Sequence, residues 1–497
     1  MTTRNHSWLV APVVALALVG STASPSLAED NAYGEMSAWH AATPDEQTVV
    51  VRDATIWTSG PDGVLEDSDL LVQDGKIVAV GSDLDAPAGA VVIDADGRHV
   101  TAGLIDAHSH TAISAGVNEG TNIVTSEVRI GDVIDPDDVG IYRQLAGGLT
   151  VANLLHGSAN AIGGQNAVIK LRWGSDAAGL LFADAPQGIK FALGENPKQS
   201  NWGVQVRRFP QTRQGVEQII REHFLAAQDY RAAREAWSGQ GKSQGEVPPK
   251  RNLQLDALVE ILEGSRLLHS HSYRADEILM LLELTHSFGV RVATFQHVNE
   301  GYKVAHELAA YGAGASTFSD WWAYKYEVVD AIPHNGAIMH DDGVLVSFNS
   351  DDDELARRMN LEAAKAVRWG GVPEVEALQF VTLAPAKQLG IDRWVGSLEA
   401  GKHGDFVIWS GHPLSTYTVA DETWIEGRKY FDRVADLAQR EVLAAERQAL
   451  LDKVRDATSS GAEEEDGEGP KTDEPEPEAH RHSHWGRPHH SGAQENR

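Results

Sequence analysis

The stretch Thr101-Ala-Gly-Leu-Ile-Asp-Ala-His108-Ser-His110 decides how the chain is read. An apolar run that ends in histidines at i and i+2 is a strand whose last two imidazoles share one face. On the first strand of a parallel barrel that face is the interior, and the strand's carboxyl end is the mouth of the site. Two neutral imidazoles aimed together at such a mouth begin a divalent-metal site. The competing reading is a pair of solvent-facing histidines in a loop, and the surrounding sequence must decide between them.

Working outward, residues 48–101 alternate short β-branched runs such as Val49-Val50-Val51 and Ile77-Val78-Ala79-Val80 with the turns Asp62-Gly63, Asp74-Gly75 and Asp96-Gly97. That pattern predicts a small antiparallel sheet. Similar strands return within 392–432, at Asp405-Phe-Val-Ile-Trp409 and Thr423-Trp-Ile-Glu-Gly427, so one small β-sandwich subdomain is expected, split between the two chain ends. Between them, residues 102–391 alternate apolar strand-like runs with amphipathic helical stretches. This length and order suit an α/β fold of the (β/α)8 TIM-barrel type. A polar stretch over 238–250 reads as an exposed loop, and 433–458 as one helix with an apolar face.

The chain has 497 residues, is 42% hydrophobic and carries a net charge of −30, which excludes the clustered cations that a nucleic-acid partner requires. Cysteine is absent, so disulfides and thiolate metal sites are excluded and any metal must sit on His, Asp, Glu or a modified Lys. Arg4, the apolar run from Trp8 to Gly20 and the small-residue end at Ser26-Leu27-Ala28 predict a signal peptide over 1–28. The expected location is therefore outside the cytoplasm, secreted or periplasmic, with no membrane anchor after cleavage. From 459 to 497 the sequence is acidic, rich in Pro and Gly, and carries His480, His482, His484, His489 and His490, which predicts a disordered tail.

The runs Asp74-Gly-Lys-Ile-Val-Ala-Val-Gly, Val92-Ile-Asp-Ala-Asp-Gly and Gly103-Leu-Ile-Asp-Ala-His-Ser-His closely resemble the amidohydrolase superfamily, in particular its imidazolonepropionase-like metal-dependent hydrolases. The resemblance extends from Thr48 to Asp432 and includes Gly396-Ser-Leu-Glu-Ala-Gly-Lys-His-Gly-Asp405. One departure is Ala102, where the family usually has Pro. The resemblance implies metal ligands beyond His108 and His110. Its strand-five histidine matches His271, in Leu267-Leu-His-Ser-His-Ser-Tyr-Arg274, and its strand-six histidine matches His297. His269 shares the face of His271 one step deeper, as a supporting partner or a core histidine. The strand-eight aspartate falls within Val344-Leu-Val-Ser-Phe-Asn-Ser-Asp351, where alternation selects Asp351 over Asp352 and Asp353. A lysine carrying CO2 as a bridge between two metals matches Lys190, with Lys170 as the alternative and a structural ion pair as the competing role for either.

On this reading the cofactor is one or two divalent ions, zinc by preference. Asp351 shuttles the proton, and His297 binds metal or steadies an oxyanion. His156, Tyr273, Arg274, Trp322 and Tyr324 are the candidate substrate contacts, with packing as the alternative for the tryptophans. The expected activity is hydrolysis of an amide or cyclic amide in a small-molecule substrate. A dipeptidase of the prolidase type on the same site and a non-catalytic metal-binding protein are the competing functions, and a homo-oligomer is compatible with either.

Overall fold

A computed structural model describes residues 43–114, 116–198, 208–239, 247–321 and 325–461. The expected leader over 1–28, the tail from 462 onward, Trp322, Tyr324 and part of the polar stretch (240–246) lie outside the described residues. The chain divides into two units, Met1–Gln439 and Arg440–Arg497. Every element described below, apart from the last helix beyond Gln439, belongs to the first.

The first strands are β1 (Val49–Trp57), β2 (Val64–Gln73), β3 (Lys76–Gly81), β4 (Val91–Asp94) and β5 (His99–Ala102). The middle of the chain supplies β6 (Leu104–Ser109), β7 (Leu149–Leu154), β8 (Ile162–Gln165), β9 (Ala167–Lys170), β10 (Gly188–Ala192), β11 (Leu267–Ser272), β12 (Val292–His297), β13 (Gly314–Thr317) and β14 (Val346–Phe348). The last three are β15 (Phe406–Trp409), β16 (Ala420–Ile425) and β17 (Arg428–Asp432).

Strands from both ends of the described chain join in one hydrogen-bonded sheet, ordered β17-β16-β15-β5-β1-β2-β3 with β4 also on β1. Its hairpins follow from turn chemistry. Asp74-Gly75 and Glu426-Gly427 each place two consecutive residues at positive φ (51° and 69°, 52° and 70°), the geometry a two-residue hairpin needs. Alternation then sorts the side chains. Phe406 and Ile408 of β15 pack with Val49, Val51, Leu70, Val100 and Trp424 in the sheet's own core. Val407 and Trp409 face the other way, into the large central core. A strand buried on both faces therefore reads as an unbroken apolar run.

In the centre, β10, β11, β12, β13 and β14 run parallel in one sheet, and β6 and β7 are parallel in a second. Helices such as Arg213–Gly239, Leu253–Leu262 and Ala275–Ser287 connect the parallel strands. The parallel order is interrupted between β7 and β10, where β9 runs against β7 and β8 against β10. The segment 155–161 carries the chain from β7 to β8, and Asn166 alone parts β8 from β9, so the two short strands fall in different sheets. At the other edge, the Asp351 amide donates to the His108 carbonyl at 3.0 Å, and the Ser350 amide donates to an Asp106 carboxylate oxygen at 3.1 Å. These bonds bring the chain leaving β14 against β6.

The last helix spans Arg433–Gly461, three residues beyond the expected end. In the second unit its Val442, Leu450 and Val454 are exposed, so the apolar face read from the sequence meets solvent.

Candidate metal centre

Apolar strands set the site's frame and their carboxyl ends carry its ligands. Ile189 and Phe191 of β10 point into the central core, which turns Lys190 to the opposite face. In the strand ladders Lys190 is level with His269 of β11, and His269 with Thr294 of β12. His108 lies near the end of β6, His110 directly after it, and His271 near the end of β11.

Two ligand candidates reach the site by a different device. Strict alternation would give the inward position on β12 to Gln296, which pairs with His271 in the ladder. His297 instead adopts a left-handed backbone, φ 73°, and packs 4.7 Å from both His108 and His271 between ring centroids. Asp351 lies three residues past the end of β14 and is also left-handed, φ 47°. Strain of this kind in non-glycine residues gathers where a side chain must be aimed.

The Asp351 carboxylate is the hub. Its Oδ1 lies 2.9 Å from His110 Nε2 and 3.2 Å from His108 Nε2, and its Oδ2 lies 3.8 Å from His297 Nε2. Donor atoms of His108, His297 and Asp351 all fall within 4.8 Å of one another. Lys190 Nζ is 3.1 Å from His108 Nε2. The Leu155 carbonyl accepts from His110 Nδ1 at 3.0 Å, which leaves Nε2 to face the carboxylate. Asp106 supports the arrangement: it accepts from the His108 and Ser350 amides and from the Ser350 hydroxyl, one residue before Asp351.

Electrostatics fit the same purpose. Burial pushes the His108, His271 and His297 imidazoles well below their ordinary range, so they are neutral and free to ligate. Burial also draws the Lys190 ammonium down to about 7. Asp351 goes the other way. Burial alone would raise it, but His297 and His110 hold the carboxyl down at about 2. Nδ1 of His108, His271 and His297 is buried without a partner among the described residues. Neutral imidazoles around one carboxylate, beside a lysine that loses its proton easily, form a donor set suited to a divalent cation.

The remaining candidates divide between the site and its surroundings. Tyr273 is at the site, its ring 4.5 Å from His271 and under Lys325 Nζ at 4.4 Å. His156 is buried with both ring nitrogens on backbone: Nδ1 donates to the Gly157 carbonyl at 2.8 Å, and Nε2 accepts from the Glu119 amide at 2.9 Å. Both bonds tie it to the loop around residues 117–120 and 157. Arg274 is half-exposed and bidentate on Asp276, at 2.9 and 3.0 Å. Lys170 belongs to a separate cluster, 3.0 Å from Asp405, 2.8 Å from Glu426 and 2.7 Å from His403 Nδ1. Asp352 caps the following turn by accepting from the Glu354 and Leu355 amides.

Sequence reading assigned no role to Asp106, Asn196 or Phe318. Asn196 Nδ2 lies 3.4 Å from His271 Nε2, and Phe318 stacks on His297 at 4.8 Å. Only Asp106 carried a signal, two residues before His108 on the same strand face.

The profile of the Amidohydrolase family matches residues 330–431. The crystal structure of an amidohydrolase from Thermotoga maritima MSB8 is 31% identical with a TM-score of 0.71, covering 78% of this chain and 100% of that one. Amidohydrolase tasK of Hapsidospora irregularis is 29% identical over 426 residues, 77% of this chain and 43% of that protein. An imidazolonepropionase of Klebsiella pneumoniae is 46% identical over 69 residues, 13% of this chain and 17% of that protein. The chain thus spans less than half the length of these two curated relatives. With a full-length structural counterpart at that identity, and with ligand-type residues gathered at the strand ends, the chain belongs to the amidohydrolase family.

Proposed function

We propose that this amidohydrolase cleaves a carbon–nitrogen bond of an amide or cyclic amide with water activated at the centre formed by His108, His110, Lys190, His271, His297 and Asp351. The observation that carries the reading is the Asp351 carboxylate, held ionised between His110 and His108 at hydrogen-bond distance. A divalent metal held by these residues would supply Lewis acidity and ease the deprotonation of water; zinc is the ion that several imidazoles and carboxylate oxygens favour. Asp351 takes the water's proton and returns it to the leaving nitrogen, a double role that needs a fixed carboxylate. His110, locked through Leu155, fixes that carboxylate in turn. Lys190, whose ammonium burial draws down to about 7, would carry CO2 as a carbamate and so help to hold a second cation. The same reading takes the central strands as a (β/α)8 barrel closed between β14 and β6, and residues 1–28 as an export signal.

The test combines metal analysis with turnover. Lys190→Ala should lower bound metal from about two ions to one or fewer, and a short carboxylic acid should partly restore activity. Asp351→Asn should keep most of the metal held by His108 and His110 while kcat falls at least about 10² to 10⁴-fold. Substrate panels of cyclic amides and of Xaa-Pro dipeptides separate the favoured activity from the dipeptidase reading. Metal binding with no turnover on either panel would argue for a non-catalytic protein.

A further inference from the structure

Beside Lys190 the interior holds polar groups that nothing among the described residues satisfies. Both ring nitrogens of His269, the Thr294 hydroxyl and both amide atoms of Gln296 are buried without a hydrogen-bond partner among the described residues. Folded proteins rarely leave such atoms unmatched, and a cluster of them calls for an occupant. Their placement is orderly: Lys190, His269 and Thr294 are level on three neighbouring parallel strands, and Gln296 lies one step nearer the mouth, level with His271. Their strand neighbours Ile189, Phe191, Leu268 and Phe295 belong to the central hydrophobic core, so the polar set shares the opposite face with Lys190. A neutral imidazole, a hydroxyl and a carboxamide together offer three kinds of donor, which suits an anionic oxygen and the water around it.

We propose that His269, with Thr294 and Gln296, forms a hydrogen-bonding floor that, through ordered water, positions the CO2 adduct of Lys190. This rests on the reading of Lys190 as the bridge. The adduct forms when neutral Lys190 Nζ attacks the carbon of CO2: a nitrogen–carbon bond forms, one C=O π pair moves onto oxygen, and a proton leaves nitrogen for solvent. The product bears one negative charge over two oxygens. The floor supplies donors to that charge, and His269 is a positioning residue that touches neither substrate nor metal.

The test uses the full-length, metal-loaded enzyme under 13CO2. Wild type should show a carbamate 13C resonance, and His269→Leu, which removes both ring nitrogens at similar volume, should need about tenfold more CO2 for half-occupancy. Metal content in His269→Leu at ambient CO2 should fall in step. His269→Gln keeps a donor and an acceptor, and should recover most of the occupancy, which a merely space-filling role would not predict. Without any substitution, the imidazole 15N resonances of His269 in wild type should move when CO2 is stripped and return when it is restored. That measurement decides the matter if His269→Leu does not fold. A wild-type enzyme with no carbamate resonance overturns the bridge and this proposal together. A clear wild-type resonance with equal CO2 affinity in His269→Leu, or His269 nitrogens indifferent to CO2, overturns the floor alone.

Discussion

Asp106 shows how a single residue can serve a site at a cost in stability. Its carboxyl is buried and raised by that burial to about 6, from 3.8. Between those values the folded protein holds a proton that the unfolded chain releases, so stability is full below about pH 4 and declines as pH rises through about 6. At about 1.4 kcal/mol per unit this is roughly 3 kcal/mol. The Asn side chain keeps the acceptor for the His108 and Ser350 amides without the titration. In metal-free protein, urea unfolding of wild type and Asp106→Asn from pH 4 to pH 7 should show wild type losing that much relative to the variant. A difference that stays constant with pH would mean the carboxyl is ionised without penalty. Legibility at this scale was uneven. The His-x-His of β6 and the inward face of Lys190 follow from alternation alone. Alternation also pointed to Asp351, although the strand ends at Phe348 and a left-handed turn delivers the carboxylate. His297 was found by likeness to a family, because period-two reasoning favours Gln296 in its place.

At the scale of elements, the hairpins at Asp74-Gly75 and Glu426-Gly427 and the doubly buried β15 were readable, since turn chemistry and apolar runs are local signals. The direction of β8 and β9 was not. Ile162-Gly-Gly-Gln165 and Ala167-Val-Ile-Lys170 are short runs parted by Asn166, and alternation carries no information on which way a strand points. Contact between elements was equally hidden. Gly147, in the turn between the helix Val139–Leu145 and β7, lies so close to the turn Leu355–Arg358 that an added Cβ would fall 2.3 Å from the Arg357 carbonyl oxygen. Backbone must move to admit it, so Gly147→Ala should cost about 1–3 kcal/mol in a denaturant titration. Because that turn follows Asp351 directly, the variant should also retain metal less well than wild type on dialysis. A variant of unchanged stability would show that the two turns separate freely.

For the first unit as a whole, the buried Lys170 and Asp405, with the half-buried His403, Glu426 and Arg172, tie the central strands to the sheet made from residues 49–102 and 406–432. Lys170 is fully buried, and removing it leaves the buried Asp405 carboxylate without its cation, held by the Glu426 amide but uncompensated in charge. Lys170→Met should therefore destabilise by about 3–5 kcal/mol in chemical unfolding while metal content stays at the wild-type level. Loss of metal with unchanged stability would reverse the roles given to Lys170 and Lys190. The sheet itself dictates an order of events at the ribosome. β5 finds its neighbour β15 only after roughly 300 further residues have been made, which at about 5–20 residues per second is about 15–60 s. Throughout that interval the nascent chain displays the open edge of β5, a template for pairing with any other extended chain. Chains that stop short of Phe406 never acquire the cover, so termination between β5 and β15 should yield aggregates and chaperone clients rather than a smaller working enzyme.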